Sequence, residues 1–138
     1  MPLNTVLVPK GAASVTDNLL RDVSLPALVI HRSALDHNLR WMQDFVSRSG
    51  AVLAPHGKTS MAGALFRRQL AQGAWGMTLG TAVQTRAAYA AGVRRVLLAN
   101  QLVGRPNMAL IAELQSDPAF EFYCMVDHPD NVAALGAY

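Results

Sequence analysis

Short apolar runs alternate with longer amphipathic segments through most of this chain. Apolar runs bounded by turn residues predict strands at 27–30, 51–54, 75–79, 95–99 and 120–126. Apolar residues recur at helical spacing between these runs, which predicts helices starting at Ser33, at Ser60, at Thr81, near Pro106 and at Pro129. A further amphipathic stretch at 16–23 predicts a leader helix that packs on the rest of the domain.

The predicted helices carry recognisable start and stop signals. Ser33 and Asp36 form a capping-box-like pair at the first helix, and Thr81 and Gln84 form a capping box at the third. The apolar stripe of the first helix has four members: Leu35, Leu39, Met42 and Val46. The stop signals are Gly73, Gly92 and the pair Asp117-Pro118. No stop signal precedes Tyr138 in the last helix.

Strands and helices that alternate at this spacing predict parallel βαβ units and therefore an α/β fold. Two closures fit the pattern, an open doubly wound sheet or a (β/α)8 barrel. A full barrel takes about 250 residues, so the 138 residues of this chain match about half of one. We expect a leader at 1–25 and a truncated barrel domain at 26–138. Half a barrel leaves an unpaired strand edge and an uncovered apolar interior, which predicts poor solubility, self-assembly or a non-autonomous fragment.

Both closures place ligands at the carboxyl ends of the parallel strands. The polar residues that follow the predicted strands therefore form the candidate site. They are His56, Lys58 and Thr59 after the strand at 51–54, Thr81 (with Gly80 before it) after the strand at 75–79, Asn100 and Gln101 after the strand at 95–99, and Asp127 and His128 after the strand at 120–126. Thr59 is equally well explained as a cap of the helix that follows it.

Composition makes Lys58 stand out among these residues. The chain has two lysines, Lys10 and Lys58, against ten arginines. A desolvated lysine can lose its proton and attack a carbonyl carbon, whereas arginine stays protonated. Lys58 is therefore a candidate to form a Schiff base with an aldehyde such as pyridoxal 5′-phosphate (PLP), with His56 ordering the site or relaying a proton. The alternatives are a solvated loop lysine and a structural histidine.

Composition and charge also bound the class of protein. The chain is 51% hydrophobic and 15% charged, which is typical of a folded domain. Its net charge of +3 is scattered without interleaved aromatics, so we expect no nucleic-acid partner. No signal peptide or membrane-spanning segment is predicted. Cys124, the single cysteine, allows no internal disulfide and is expected to be a buried small hydrophobe, which favours a cytoplasmic location.

A nucleotide-binding loop is the nearest rival interpretation of the segment around Lys58. Gly57-Lys58-Thr59 matches the end of the G-x-x-x-x-G-K-[ST] motif. The motif requires a glycine where this chain has Val52, and Pro55 has no N–H to offer a phosphate. We therefore rank nucleotide binding below the amine chemistry.

The chain also resembles a known family over residues 26–138. The segments 26–30 and 35–39 look like the opening of an alanine racemase-type N-terminal domain. The string Pro55-His56-Gly57-Lys58-Thr59 is similar to the PLP-lysine motif of the D-threonine aldolase and D-serine dehydratase branch, and segments 73–78 and 92–100 continue the match. The resemblance implies a PLP-binding barrel in which Lys58 carries the cofactor. It also implies that 27–31 belongs with a second, mostly β domain, so that four barrel strands remain.

The resemblance then suggests a function for the chain. It implies a PLP-dependent lyase or deaminase acting on D-amino acids, as an N-terminal fragment that we expect to be inactive alone. The later barrel strands and the C-terminal domain of the family supply the main phosphate contacts and the ligands of a divalent metal. A homodimer is implied for full-length relatives. An amino-acid racemase and a non-catalytic PLP carrier of the same fold remain alternatives, with a nucleotide-binding module ranked last.

Overall fold

Helices and parallel strands alternate along the part of the chain that the structure describes, which comprises residues 18, 20–22, 25–26 and 29–138 of a computed structural model. The elements in chain order are α1 (Arg32–Arg48), α2 (Gly63–Ala71), β1 (Met77–Leu79), α3 (Ala82–Ala90), β2 (Arg95–Gln101), α4 (Arg105–Leu114), β3 (Glu121–Met125) and α5 (Pro129–Gly136). The three strands form one sheet in the order β1-β2-β3, and both pairings are parallel. The predicted α/β class with a parallel sheet is confirmed.

The core lies between one face of this sheet and the helices. Successive residues of a strand point to opposite faces, so Val96 and Leu98 of β2 are buried while Leu97 between them is not. The apolar faces of α2, α3 and α4 complete this core with, among others, Phe66, Ala82, Ala88, Met108, Ile111 and Leu114. Tyr123 and Met125 of β3 are 44% and 58% exposed. One apolar stretch of the sheet is thus open to solvent in the described chain.

The predicted strand at 51–54 is displaced in the structure. Residues 53–57 run beside β1 and are joined to it by hydrogen bonds from Trp75 N to Leu53 O and from Thr78 N to Pro55 O, each 2.8 Å. Only His56 and Thr78 form a parallel bridge. The next pairing back along the ladder would need an N–H from Pro55, which has none. Proline therefore reduces the expected strand to one bridge, and the predicted four strands become three and a bridge.

Two predicted helix starts are wrong. The first helix begins at Arg32, so Ser33 lies inside its first turn, and the N-cap residue His31 makes no side-chain cap hydrogen bond. The Asp36 carboxylate accepts a 2.7 Å hydrogen bond from the Arg68 guanidinium of α2 instead. The predicted capping box is thus replaced by an ion pair between α1 and α2.

The second helix begins at Gly63 rather than Ser60. Met61 has a φ of +46°, a left-handed conformation that no α-helix accommodates. Its N–H donates to the carbonyl of Gly57 at 2.9 Å, which closes a separate turn over residues 57–61. Lys58 and Thr59 therefore lie in a turn, and Thr59 is not the cap of α2, whose N-cap residue is Ala62.

Several other predictions concern segments that the structure describes in part or not at all. Of the leader helix predicted at 16–23, the structure describes residues 18 and 20–22, which form a turn in which the Asn18 carbonyl accepts from the Arg21 and Asp22 N–H groups. The rest of that segment lies outside the described residues, as do residues 27 and 28 of the first predicted strand. Val29 and Ile30 are described, are not in a strand and are about half exposed. Closure into a barrel stays a prediction. None of the described helices is long and apolar enough to cross a lipid bilayer.

Candidate functional site

Lys58 lies where the parallel strands end. It follows the bridge between His56 and Thr78 by two residues, and the Gly57 N–H before it donates to the carbonyl of Thr78 at 2.8 Å. Its side chain is exposed and forms no ion pair with any described residue. The desolvated setting expected for this amine is therefore absent from the described chain. Its placement at the carboxyl end of the sheet agrees with the prediction from topology.

The turn that carries Lys58 is fixed by close packing beneath it. Gly57 is buried, and a Cβ atom there would come within 2.6 Å of the Phe66 ring and 3.1 Å of the Met77 methyl group. Phe66 and Met77 belong to the core, so neither can move away at low cost. The backbone just before Lys58 therefore needs glycine for space.

Gly80 and Gln84 hold the other side of this turn. The Gln84 amide oxygen accepts from the Gly80 N–H at 2.9 Å, and the Gln84 amide nitrogen donates to the Lys58 carbonyl at 3.4 Å. A Cβ atom on Gly80 would lie 3.5 Å from Cδ of Lys58, so the lysine stem passes directly over this glycine. The sequence pattern assigned Gln84 to a capping box with Thr81 and missed its contact with Lys58.

Asn100 and Gln101 lie at the same edge of the sheet, at the end of β2. The pairing of β2 with β3 is regular up to Leu98 and resumes at Gln101, so residues 99 and 100 form an irregular bulge. The Asn100 side chain accepts from the Gln101 N–H at 3.0 Å, and the Gln101 amide donates to the Asp127 carboxylate at 2.7 Å. Bulges next to binding sites commonly redirect side chains in this way. The predicted meeting of the β2 and β3 ends is thus present.

The structure does not bring all the predicted residues together. The Lys58 turn adjoins β1, whereas Asn100 and Gln101 end β2 and Asp127 follows β3. Neighbouring strands lie about 4.8 Å apart, so the Lys58 turn and the end of β2 are separated by roughly 10 Å along the sheet. The carboxyl end of the sheet therefore has two separate polar sites, one at Lys58 and one at Gln101 and Asp127.

The two histidines of the predicted site differ in role. His56 is exposed beside β1, where its side chain is accessible to a ligand. His128 is the N-cap residue of α5, and its Nδ1 accepts from the Asp130 N–H at 3.2 Å, so it caps a helix. Among the described residues, no group of three or more His, Cys, Asp or Glu side chains is arranged to hold a metal ion.

The amino ends of the strands carry a tight cluster of four residues that sequence analysis did not identify. Arg95 donates to both carboxylate oxygens of Glu121 and, at 3.1 Å, to the Trp75 carbonyl. The Tyr123 hydroxyl donates to Glu121 at 2.9 Å, and the Tyr123 and Trp75 rings lie 5.1 Å apart. The Arg95 guanidinium and, second, the Tyr123 hydroxyl hold the pKa of Glu121 below its ordinary value. The same hydrogen bond from Tyr123 raises the pKa of its phenol.

A groove of about 500 Å³ lies away from Lys58, between α4, β3 and α5. Its lining includes Leu102, Met108 and Cys124 and contains no charged side chain. Burial raises the pKa of the Cys124 thiol, although this cysteine is half-buried and not fully buried as predicted. A groove without an amine offers an aldehyde cofactor no attachment, so we place the candidate site at Lys58.

The sequence of this chain and its structure are each similar to those of a D-threonine aldolase. The chain is 33% identical over 95 residues to a D-threonine aldolase of Arthrobacter sp., in a match that spans 69% of this chain and 25% of that protein. The crystal structure of the D-threonine aldolase from Filomicrobium marinum superposes with a TM-score of 0.78 and 29% identity, over 84% of this chain and 31% of that one. No protein-family profile matches the chain. The chain therefore spans about a quarter to a third of the length of these relatives.

Proposed function

This chain is D-threonine aldolase-like in sequence and in fold, and from that premise we propose that it is the lysine-bearing part of a PLP-dependent lyase acting on D-amino acids. The observation that carries the proposal is the position of Lys58, an exposed amine at the carboxyl end of parallel strands whose stem passes over a glycine. An exposed primary amine is the group with which an aldehyde cofactor condenses.

Each residue of the site has a defined part in the proposal. Lys58 would hold PLP through its Nζ, the amine condensing with the aldehyde and releasing water. When bound, PLP supplies an electron sink for the electron pair released at Cα of the amino acid. His56, exposed at the same end of the sheet, would order the site or relay a proton. Thr59, Asn100 and Gln101 offer hydrogen bonds to polar groups of the cofactor or substrate.

We favour aldol cleavage over the other reactions of this class because both relatives are named D-threonine aldolases. Aldol cleavage breaks the Cα–Cβ bond of a D-3-hydroxyamino acid and leaves glycine and an aldehyde. Dehydration of D-serine and racemisation begin from the same lysine, so these alternatives differ in groups other than Lys58. The proposal includes weak or no turnover by the 138-residue chain alone, since the residues that match it make up only 25% and 31% of these relatives.

Cofactor attachment can be tested directly. The purified chain is mixed with PLP, reduced with borohydride to trap the C–N bond, and digested for peptide mass mapping. We expect the label at Lys58, well above the label at Lys10 and the amino terminus. Equal labelling of all three amines, or none, would refute cofactor binding by this chain. A separate, unreduced sample receives D-threonine or D-serine, and any release of glycine with acetaldehyde, or of pyruvate with ammonia, separates aldolase from dehydratase. A robust rate would contradict the expected weak turnover.

A further inference from the structure

The side chain of Gln84 connects the ends of two neighbouring segments of the sheet. Its backbone N–H donates to the Thr81 hydroxyl at 3.1 Å and so takes part in the cap of α3. Its side chain takes no part in that cap. It bonds instead to Gly80, which follows β1, and to Lys58, in the turn after the segment that runs beside β1. One amide thus spans β1 and the lysine turn.

We propose that Gln84 is a positioning residue that fixes the Lys58 turn for cofactor attachment. The inference rests on the proposed function, because it concerns the amine that would carry PLP. The turn around Lys58 contains a left-handed methionine, Met61, and its backbone conformation is therefore held by its surroundings. A hydrogen bond from Gln84 to the Lys58 carbonyl restrains the residue that must present its amine, and restraint lowers the entropy lost on binding.

The chemistry of an amide explains why glutamine suits this position. Oε1 accepts from the Gly80 N–H while Nε2 donates to the Lys58 carbonyl, and only a side chain with both functions can do this. In a capping box the side chain would return to the Thr81 N–H. Here it reaches one residue earlier, to Gly80, and that shift lets its nitrogen face Lys58. Glutamate could accept from Gly80 but could not donate to Lys58.

Gly80 gives independent support to this arrangement. A Cβ atom on Gly80 would lie 3.3 Å from Oε1 of Gln84 and 3.5 Å from Cδ of Lys58. The first distance is tighter than ordinary contact and the second is ordinary contact. The amide and the lysine stem thus converge on the same residue, whose missing side chain lets both approach. The Gln84 amide nitrogen thus bonds the Lys58 carbonyl, and the Gln84 side chain and the Lys58 stem both lie over Gly80.

Three variants of the full chain test the inference. Gln84→Met keeps the length of the side chain and removes both hydrogen bonds, and Gln84→Glu keeps only the bond to Gly80. Thr81→Ala is the matched control, because it weakens the start of α3 and leaves the Gln84 side chain in place. PLP is titrated against borohydride-trapped label at Lys58, and hydrogen exchange of the Gly80 amide is measured without PLP. The urea midpoint of each variant shows how much stability each has lost.

Both Gln84 variants lose the hydrogen bond to the Lys58 carbonyl. We expect each to need about five-fold more PLP for half-maximal label at Lys58, as the loss of that one bond would produce. Gly80 amide exchange should accelerate in Gln84→Met and stay near wild type in Gln84→Glu. Thr81→Ala should label within two-fold of wild type despite its lower midpoint. Wild-type labelling in the Gln84 variants, or an equal loss in Thr81→Ala, overturns the inference and leaves the proposed function intact. Absence of label at Lys58 in wild type overturns the proposed function and the inference with it.

Discussion

The two ends of the parallel sheet differ in how their polar groups are used. At the amino end, the carboxylate of Glu121 is shared between the guanidinium of Arg95 and the hydroxyl of Tyr123, and the Trp75 ring lies beside them. At the carboxyl end, Lys58 is exposed without an ion pair among the described residues. At the amino end the charges of Arg95 and Glu121 are paired with each other, whereas at the carboxyl end the Lys58 amine is available to a ligand.

This difference suggests that the amino end of the sheet serves stability and the carboxyl end serves chemistry. Parallel α/β folds bind ligands at the carboxyl ends, where loops diverge, and pack more tightly at the other end. Changes at the amino end of this sheet should alter the free energy of unfolding and leave cofactor attachment to the folded protein unchanged. Changes at Lys58 should do the reverse. Three pairs of substitutions test that division.

The largest effect is expected for Lys58→Arg. Arginine keeps the positive charge and the length of the side chain but does not deprotonate to attack an aldehyde. Site-specific PLP label should fall to background, a loss of at least about 100-fold if Lys58 is the only selective amine. Because the side chain is exposed, the free energy of unfolding should change by less than about 0.5 kcal/mol. Peptide mapping and urea unfolding of the same preparation measure both quantities.

Lys10→Arg is the matched control, since it removes the other lysine of the chain. Its label at Lys58 should equal that of wild type. If Lys10→Arg loses the label and Lys58→Arg keeps it, the chemistry does not belong to the carboxyl end of the sheet, and the division between the two ends fails.

Gly76→Ala should have the next largest effect, and it acts at the amino end. A Cβ atom there would come within 2.6 Å of the Arg95 backbone carbonyl, so the strand itself must shift. Overpacking of this kind costs about 3 kcal/mol. Urea unfolding should show the loss, while PLP label per folded molecule at Lys58 stays at the wild-type level.

Gly136→Ala provides the contrast, because no atom lies within 4 Å of its added methyl group. Its free energy of unfolding should change by less than about 1 kcal/mol, in the stabilising direction that alanine gives a helix. A similar loss in both glycine variants would show that the contact with Arg95 is not the cause.

The smallest effect is expected from acidification and involves Glu121. Its pKa is lowered in the folded protein from the ordinary 4.5, so its contribution to stability is complete above that value and is lost as the pH falls through the lower folded pKa. Glu121→Gln should therefore be less stable than wild type at pH 7. The two unfolding midpoints should converge as the pH falls well below 4.5.

Tyr123→Phe tests the second contributor to this shift. It removes one hydrogen bond to Glu121 and leaves that of Arg95, so its pH dependence should lie between those of wild type and Glu121→Gln. Midpoints that differ by a constant amount at every pH would mean that the carboxylate of Glu121 does not titrate with folding. The cluster at the amino end would then hold the sheet by packing alone.

Local sequence signals located most of the elements and failed where long-range contacts intervened. Thr81 does cap α3 through the Gln84 N–H, since a cap needs only residues of the same turn. Asp36 was assigned to a cap and instead bonds Arg68, 32 positions away in the chain. Ser60 was assigned to a helix start, and the turn closed between Gly57 and Met61 delays that helix to Gly63. The first error replaces a local contact by one between two helices, and the second replaces the start of a helix by a different local turn.

The candidate site divides in the same way. Periodicity and topology placed Lys58, Asn100, Gln101 and Asp127 at the carboxyl edge, because parallel strands all end on the same side of a sheet. The bond between Gln101 and Asp127 agrees with that placement. The contact between Gln84 and Lys58 had no signal in the sequence, since a glutamine three residues after a threonine has the pattern of a capping box.

Strand order along the chain and the choice of Lys58 as the candidate amine thus follow from residue pattern and composition, which act over a few neighbouring positions. The path of the Gln84 amide, the space that Gly80 leaves for the Lys58 stem and the ion pair of Arg95 with Glu121 follow from tertiary structure. These contacts join residues more than 20 positions apart, and their geometry depends on how the strands align. Periodicity specifies which face a side chain occupies, whereas strand register and packing decide which partner it meets there.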